Sequence, residues 1–223
     1  MANTISSFDE LNVIVGYDRS EPYEDYFDLD WLSEEEKERR VETAEKLEDH
    51  FRPLFLYLFY SALASAEIDW EYFESGLRVE YASALEELGY TINDRVNDRI
   101  DTFAREVRDS SGKRITILPY MDDGELWYLS DDRLRYISEN ESQNTNECEE
   151  FIQAVLSGMS GKEWVNMGDK RVRKTHVKAG GQIKPIMEPF DVGDSLLMYP
   201  GDYGSYGASA EEIVGCRCHA RYF

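Results

Sequence analysis

Apolar residues recur at helical spacing through most of the first 158 positions of the chain. Ser33 with Glu36 has the pattern of a capping box, which predicts that a long helix begins there. Pro53 lacks a backbone donor and is expected to interrupt or kink that helix. The run that follows, Leu54 to Ala66, is apolar on nearly all sides, so it must be buried in this protein or against a partner.

Two more helices are predicted before residue 114. The first runs from about Trp70 to Leu88 and ends at Gly89, a residue suited to a C-terminal cap. The second begins at Thr91, and its apolar residues are spaced three and four apart, on one stripe: Ile92, Val96, Ile100, Phe103 and Val107. Residues 108 to 114 are polar and are expected to end it, with 114 to 118 forming a short strand or an extended link.

A fourth helix is predicted to start after Ser130 and to end at Gly158. Its middle, residues 139 to 146, is rich in Asn, which disfavours helix interiors because its side chain competes for backbone hydrogen bonds. Two interpretations are open at this point. The stretch is either a face exposed to solvent or a set of side chains that hydrogen-bond the segment after the helix, through Asn140, Glu141 and Asn144.

The sequence changes character at residue 159, after which glycines come too densely for long helices and predict short strands and tight turns. The apolar residues of this part are expected to form a small core: Trp164, Val165, Val172, Ile183, Ile186, Phe190, Leu196, Leu197 and Met198. The sequence therefore predicts an α+β protein, in which a helical N-terminal and central part is followed by a small turn-rich β module at 159–223.

The N-terminal residues 1–30 are acidic and aromatic and show no sustained period. Their aromatic residues stand among Asp and Glu: Tyr17, Tyr23, Tyr26 and Phe27. This composition predicts an acidic aromatic arm, which is either an extended segment that contacts a partner or a partly ordered terminus. A helical region over residues 31–87 follows it.

Charge and cysteine content limit the class of protein. The chain has 46 Asp and Glu against 24 Lys and Arg, a formal net charge of −22, which argues against binding the nucleic-acid backbone over the whole surface. The excess precedes residue 161, because 161–223 holds nine basic and eight acidic side chains. No signal-like N-terminus and no apolar run near the ~20 residues of a spanning helix is present, so we expect no membrane insertion. Three cysteines predict no disulfide framework and indicate synthesis in a reducing, intracellular place.

The last sixty residues contain a candidate metal site. His176, Cys216 and Cys218 are residue types that bind a structural Zn²⁺, and His219 or Asp202 is a candidate for the fourth ligand. Against this, Cys-x-Cys lacks the two-residue gap that lets two thiolates reach one metal comfortably. The alternative is that both cysteines pack as small apolar groups while Arg217 points the other way.

A series of short motifs runs through residues 88–223. In chain order they are Leu129-Ser130-Asp131-Asp132-Arg133, Asn140-Glu141, Lys162-x-Trp164, Asp169-x-Arg171-Val172-Arg173-x-x-His176, Gly180-Gly181-Gln182, Pro189-Phe190, Pro200-Gly201-Asp202 and Cys216-x-Cys218. Together and in this order they resemble the Mu F-like head morphogenesis domain of tailed bacteriophages. The resemblance covers roughly residues 88–223, with helices to about 158 and the β module beyond, and does not extend to residues 1–87.

The resemblance implies a minor head protein that acts in head assembly, associated with the portal vertex and not an enzyme. Its partners would be the portal protein, the major capsid protein or both, with packaged DNA as a further contact at Lys170, Arg171, Arg173 and Lys174. It would be made in the host cytoplasm and located in the virion, in the head interior or at the portal vertex. The motif residues would then be structural: Glu141, Lys162, Trp164, Asp169, Arg171, Arg173, His176, Phe190, Pro200, Gly201, Asp202, Cys216 and Cys218.

An enzyme is the alternative function. His176 with Arg171, Arg173 and Lys162 resembles the set that nucleases use, in which a base stands beside cations that stabilise a phosphorane-like transition state. An intracellular nuclease, with or without a metal, is therefore the second hypothesis, and a zinc-binding module built on His176, Cys216 and Cys218 is related to it.

Overall fold

The computed structural model describes residues 5–15, 22–116, 118–203 and 206–223. It confirms the α+β class, because long helices fill the N-terminal and central part and short antiparallel strands follow. The chain divides into two compact units. Unit 1 comprises Met1–Thr91 and Phe103–Glu139, and unit 2 comprises Ile92–Thr102 and Asn140–Phe223. The expected C-terminal domain at 88–223 differs from this division, since residues 103–139 belong to unit 1.

The longest helix of unit 1 is α3, Glu34–Leu63. It begins with the predicted capping box, in which Ser33 Oγ accepts from the Glu36 amide at 3.3 Å and Glu36 Oε2 accepts from the Ser33 amide at 2.7 Å. The expected interruption at Pro53 is wrong, because the helix continues through it. Aromatic side chains on both sides of Pro53 are buried and bridge it: the Phe51 ring packs on Tyr81 and the Phe55 ring packs on Phe73.

The apolar run that follows Pro53 is largely buried within the chain. Five of its side chains belong to the core: Leu54, Phe55, Leu58, Phe59 and Ala62. The Tyr60 side chain is an exception and is 54% exposed. The run therefore needs no partner protein to cover most of it, which decides between the two possibilities that the sequence left open.

The description of residues 1–30 as an arm is corrected for the part that the structure describes. Helix α1 spans Phe8–Ile14 and helix α2 spans Tyr23–Tyr26. The Phe8 ring packs on Phe59 of α3, and Phe27 is fully buried in a cluster with Val41 of the same helix. These aromatic side chains carry enough apolar area to fold the segment onto α3. Tyr17 lies outside the described residues.

Helix α4 spans Trp70–Glu87, with Gly89 at φ 79° just beyond it, as the sequence predicts. Helix α5 spans Asp94–Gly112, so it starts later than Thr91 and continues through most of the polar segment expected to end it. The hydroxyls of Ser110 and Ser111 donate to the Val107 carbonyl at 3.0 and 2.6 Å, which satisfies them within the helix. No strand forms at 114–116, and Leu118–Tyr120 is a 3-10 helix; residue 117 lies outside the described part.

Helix α6, Asp123–Leu126, and a 3-10 helix, Trp127–Leu129, lead into α7, Asp131–Leu156. Ser130 Oγ accepts from the Arg133 amide at 3.3 Å, and Gly158 follows the helix at φ 74°, so both predicted ends are confirmed. The described residues contain no helix that is long and apolar enough to cross a bilayer.

The β module of unit 2 contains two small antiparallel sheets. The first has the order β2-β1-β5, formed by Ile183–Pro185, Gly161–Val165 and His219–Tyr222. The second pairs β3, Phe190–Val192, with β4, Ser195–Leu197. Two short helices complete the module: α8, Lys174–Ala179, and α9, Ala210–Ile213.

The core of this module differs in membership from the one that the sequence predicts, because Val192, Tyr203 and Ile213 are buried in it and some of the predicted residues are not. Trp164, Phe190 and Leu197 are fully buried, but Ile183 and Leu196 are 66% and 40% exposed. Successive side chains of a strand alternate between its two faces, so Leu196 lies opposite the exposed Asp191 and away from the face that Leu197 presents to the core.

Candidate metal centre

Three side chains that are distant in sequence meet in unit 2. His176 lies in the last turn of α8, and Cys216 and Cys218 lie between α9 and β5. The two sulfur atoms are 3.5 and 3.4 Å from His176 Nδ1, and one ligand atom from each residue lies within 4.8 Å of the others. All three side chains are buried, with exposures of 1 to 2%. This cluster can hold a metal ion.

The Cys-x-Cys spacing does not prevent this convergence. Residues 216 and 218 present both sulfurs to the same side, while the Arg217 guanidinium turns away and donates to Asp169 Oδ2 at 2.6 Å. The predicted alternation is therefore present, but it directs both thiols at His176 and not into a purely apolar core. Trp164 completes the surroundings, with its ring edge-on to the imidazole at a centroid distance of 5.5 Å.

Glu212 orients the imidazole from the opposite side. Its Oε2 lies 3.0 Å from His176 Nε2 and accepts from Thr175 Oγ1 at 2.7 Å. A carboxylate on one imidazole nitrogen fixes the ring and leaves the other nitrogen to a metal, an arrangement common around metal-bound histidines. Sequence reasoning missed Glu212; its position four residues before Cys216 was the signal that could have found it.

The three side chains of the cluster shift one another's pKa values. The pKa of Cys216 is lowered to about 5, first by a hydrogen bond from the Cys218 thiol and then by His176. The same sulfur contact and burial raise the pKa of Cys218 above its usual range. Burial acts to lower the pKa of His176, but the neighbouring Cys216 thiolate outweighs it and the pKa is raised. The Cys216 sulfur therefore favours the thiolate form that binds metals, whereas a metal would have to displace the proton that the raised pKa of His176 retains.

A pocket opens above the cluster. Its lining consists of the three candidate ligands and six neighbours: Met167, Arg171, Val172, Arg173, Gly215 and Arg217. The residues suggested as a fourth ligand do not join the group in the described part of the chain. Asp202 Oδ2 instead accepts from the Met198 amide at 2.8 Å, and His219 pairs with Val165 across β5 and β1.

The basic residues proposed for DNA contact separate into two sets. Arg171 and Arg173 line the pocket, whereas Lys170 and Lys174 are exposed and do not contribute to its lining. Arg173 donates to the Val214 carbonyl, which ties the start of α8 to the segment after α9. Lys162, the other cation of the nuclease hypothesis, is absent from this pocket.

The Asn-rich middle of α7 is buried, and its side chains hold the segment that carries the two cysteines. Asn140 Oδ1 accepts from the Gly215 amide at 2.6 Å, and Glu147 Oε2 accepts from the Ala220 amide at 3.2 Å. Gln143 Nε2 donates to the Cys218 carbonyl at 3.4 Å. The expectation of hydrogen bonds to the following module is therefore confirmed for Asn140, and a solvated face is excluded.

Glu141 and Asn144 belong to the same buried face of α7 but bond to other partners. Glu141 pairs with Arg99 of α5, and both side chains are almost fully buried. Its Oε1 accepts from Asn140 Nδ2 at 3.0 Å and from Asn144 Nδ2 at 3.4 Å. Asn144 also lies directly against Gly201, where no side chain would fit.

Lys162 is a buried cation of the framework. Its Nζ donates to the Met198 carbonyl at 2.7 Å and lies 5.2 and 5.0 Å from the ring centroids of Phe151 and Phe190. Burial lowers the pKa of Lys162 to about 8. The carbonyl it binds belongs to the turn that Pro200, Gly201 and Asp202 close, so these motif residues support each other.

Comparison with protein-family models, with curated proteins and with solved structures found no match to this chain.

Proposed function

We propose that this protein is a minor head protein of a tailed bacteriophage that acts in head assembly, with unit 2 as a metal-stabilised structural module. The residues that carry the resemblance to Mu F-like domains lie mostly in the interior of unit 2. Glu141, Lys162, Trp164, His176 and Asp202 are each at most 1% exposed. These motif residues bond to other groups inside the module and do not form an exposed surface. Such a use favours a structural role over a catalytic one.

The observation that carries the proposal is the anchoring of the Cys-x-Cys segment to α7. Backbone groups of residues 215, 218 and 220 each bond to a buried polar side chain of that helix. Two motifs far apart in sequence, Asn140-Glu141 and Cys216-x-Cys218, are thereby joined in one structural unit. Their joint occurrence in the sequence then has a physical reason, since each needs the other to satisfy its buried polar groups.

Zn²⁺ is the metal that we propose for the cluster. Two thiolates and one imidazole are soft and borderline ligands that suit Zn²⁺, which has no geometric preference of its own and accepts four of them tetrahedrally. The strands of the module are only three to five residues long, and both cysteines belong to its buried cluster, so metal binding there would contribute directly to its stability.

A pair of cysteine variants tests the zinc centre. Full-length protein is purified without chelator, and its zinc is measured by mass spectrometry of the element. We expect one Zn²⁺ per chain in the wild type and in Cys148→Ser, and loss of the ion in Cys216→Ser. Cys148 is a matched control because it is also buried but lies on α7, outside the ligand group. A folded wild-type protein without stoichiometric zinc would remove the proposal.

The head-protein role is tested in particles. Mass spectrometry of procapsids and mature virions, from cells that express the chain with its neighbouring genes, should find it in few copies, and chemical crosslinking should join it to the portal or the major capsid protein. Packaged DNA and those two proteins are the proposed partners, and the virion is the proposed location. Absence from both kinds of particle would contradict this role.

The nuclease hypothesis has weaker support in the geometry. Both ring nitrogens of His176 face other side chains, with Glu212 on Nε2 and the two sulfurs on Nδ1, so neither is directed at a substrate. Lys162 is buried against the Met198 carbonyl. Cleavage of plasmid DNA or RNA by the wild type, lost in a folded His176→Ala variant, would overturn the non-enzymatic assignment.

A further inference from the structure

A metal held by His176, Cys216 and Cys218 would have one open coordination position, and a pocket lies above these three side chains. A tetrahedral Zn²⁺ takes four ligands, and structural sites usually draw all four from the protein. Here the described residues supply three, and no further His, Cys, Asp or Glu joins them. Because all three ligand residues line the pocket, the fourth position of a bound metal is reached from that pocket.

The charged side chains of the lining, apart from the candidate ligands, are all cationic among the described residues, and Met167 and Val172 supply its apolar part. Three arginines contribute to it, and no carboxylate does. Arg217 is paired with Asp169, and Arg173 donates one hydrogen bond to the Val214 carbonyl. The Arg171 side chain is exposed at the rim and has no ion pair with the described residues. Since two thiolates would neutralise the charge of Zn²⁺ and Asp169 neutralises Arg217, the positive charge of the described lining comes from Arg171 and Arg173.

We propose that this pocket binds a phosphate group, with one oxygen in the fourth coordination position of the metal and the others bonded by Arg171 and Arg173. The proposal rests on the zinc centre proposed above. Guanidinium groups match phosphate geometry and form charge-assisted hydrogen bonds with it. The source is either free phosphate or the terminal phosphate of a nucleic acid. A terminal phosphate is preferred to an internal phosphodiester because the latter has only two unbridged oxygens to share among the metal, Arg171 and Arg173.

Cobalt substitution provides the test, because Co²⁺ bound to thiolates absorbs in the visible range and its spectrum responds to a change of ligand. Full-length protein loaded with Co²⁺ is titrated with inorganic phosphate at constant ionic strength, with chloride as the reference anion. We expect a saturable change in the visible bands. Arg171→Gln should weaken the apparent phosphate affinity by about tenfold, the loss of one charge-assisted contact. Lys170→Gln, the same charge change one residue away and outside the lining, should change it by less than about twofold.

The outcomes separate the two proposals. A thiolate-to-cobalt absorption band, with visible bands that phosphate does not alter, would overturn the phosphate site and leave the metal centre standing. No cobalt binding by the folded wild type would overturn the metal centre and the phosphate site with it. Equal weakening in Arg171→Gln and Lys170→Gln would mean general charge attraction and would also overturn the site. A 5′-phosphorylated oligonucleotide that shifts the spectrum where its unphosphorylated twin does not would identify a nucleic-acid terminus as the source, and a response to inorganic phosphate alone would identify the free ion.

Discussion

Removal of the Glu141 carboxylate should destabilise unit 2 strongly. Glu141 and Arg99 are 1% and 2% exposed, and they form an ion pair in the interior of the unit. Glu141→Ala would remove the carboxylate that pairs with the buried Arg99, and loss of one partner costs about 3–5 kcal/mol in comparable buried pairs. The amides of Asn140 and Asn144 would also lose an acceptor, each loss being about 1 kcal/mol, although such contributions are not additive.

Hydrogen–deuterium exchange followed by mass spectrometry measures this effect where it should occur. Peptides that cover β1 and β5 are expected to exchange much faster in Glu141→Ala, and calorimetry should give the loss in free energy of unfolding. Glu149→Ala is the matched control, because that carboxylate lies on the same helix and accepts only an exposed bond from Gln153 at 2.8 Å. Its effect should remain within about 0.5 kcal/mol.

A double variant isolates the role of charge. Arg99→Met combined with Glu141→Leu replaces the pair by apolar groups, and it should recover much of the stability that Glu141→Ala loses. A Glu141→Ala protein as stable as Glu149→Ala would contradict this prediction, since the buried Glu141 carboxylate would then contribute nothing to the stability of unit 2.

Three further predictions concern the same unit. Gly201→Ala should cost about 2–3 kcal/mol in thermal unfolding, since φ is 80° and the new Cβ would clash with Asn144, whereas Gly207→Ala, at φ 64° in open space, should cost about 1 kcal/mol. Because the pKa of Lys162 is lowered to about 8, the unfolded chain binds a proton that the folded protein lacks between about pH 8 and the unfolded pKa of 10.5, so the contribution of Lys162 to the free energy of unfolding rises with pH there. The stability of the wild type relative to Lys162→Met should therefore increase over this range, and a pH-independent difference would contradict this. Glu212→Ala should weaken zinc affinity about tenfold or more in competition with a chelating dye, and the neighbouring exposed Glu211→Ala should not; equal affinities would exclude an orienting role for Glu212.

Several local features could be predicted from the sequence because neighbouring residues determine them. The capping box at Ser33, the left-handed glycines at 89 and 158 and the dense glycines after residue 159 each act within a few residues. Local patterns failed where distant contacts reverse them. Pro53 stays inside α3 because aromatic packing on both sides holds the helix. The polar end of α5 continues because the guanidinium of the distant Arg133 donates to the hydroxyls of Ser110 and Ser111 at 3.0 and 2.9 Å.

The α+β class and the residue types of a metal site follow from the sequence alone, because helix periodicity, turn chemistry and thiol and imidazole groups are properties of short segments. That residues forty positions apart meet is a result of the tertiary fold, which places both cysteine sulfurs beside His176 Nδ1 and Glu212 behind it. The tertiary fold also buries the Asn-rich face of α7. No periodicity could show this, since a polar stripe looks the same whether water or the amides of Gly215 and Ala220 satisfy it.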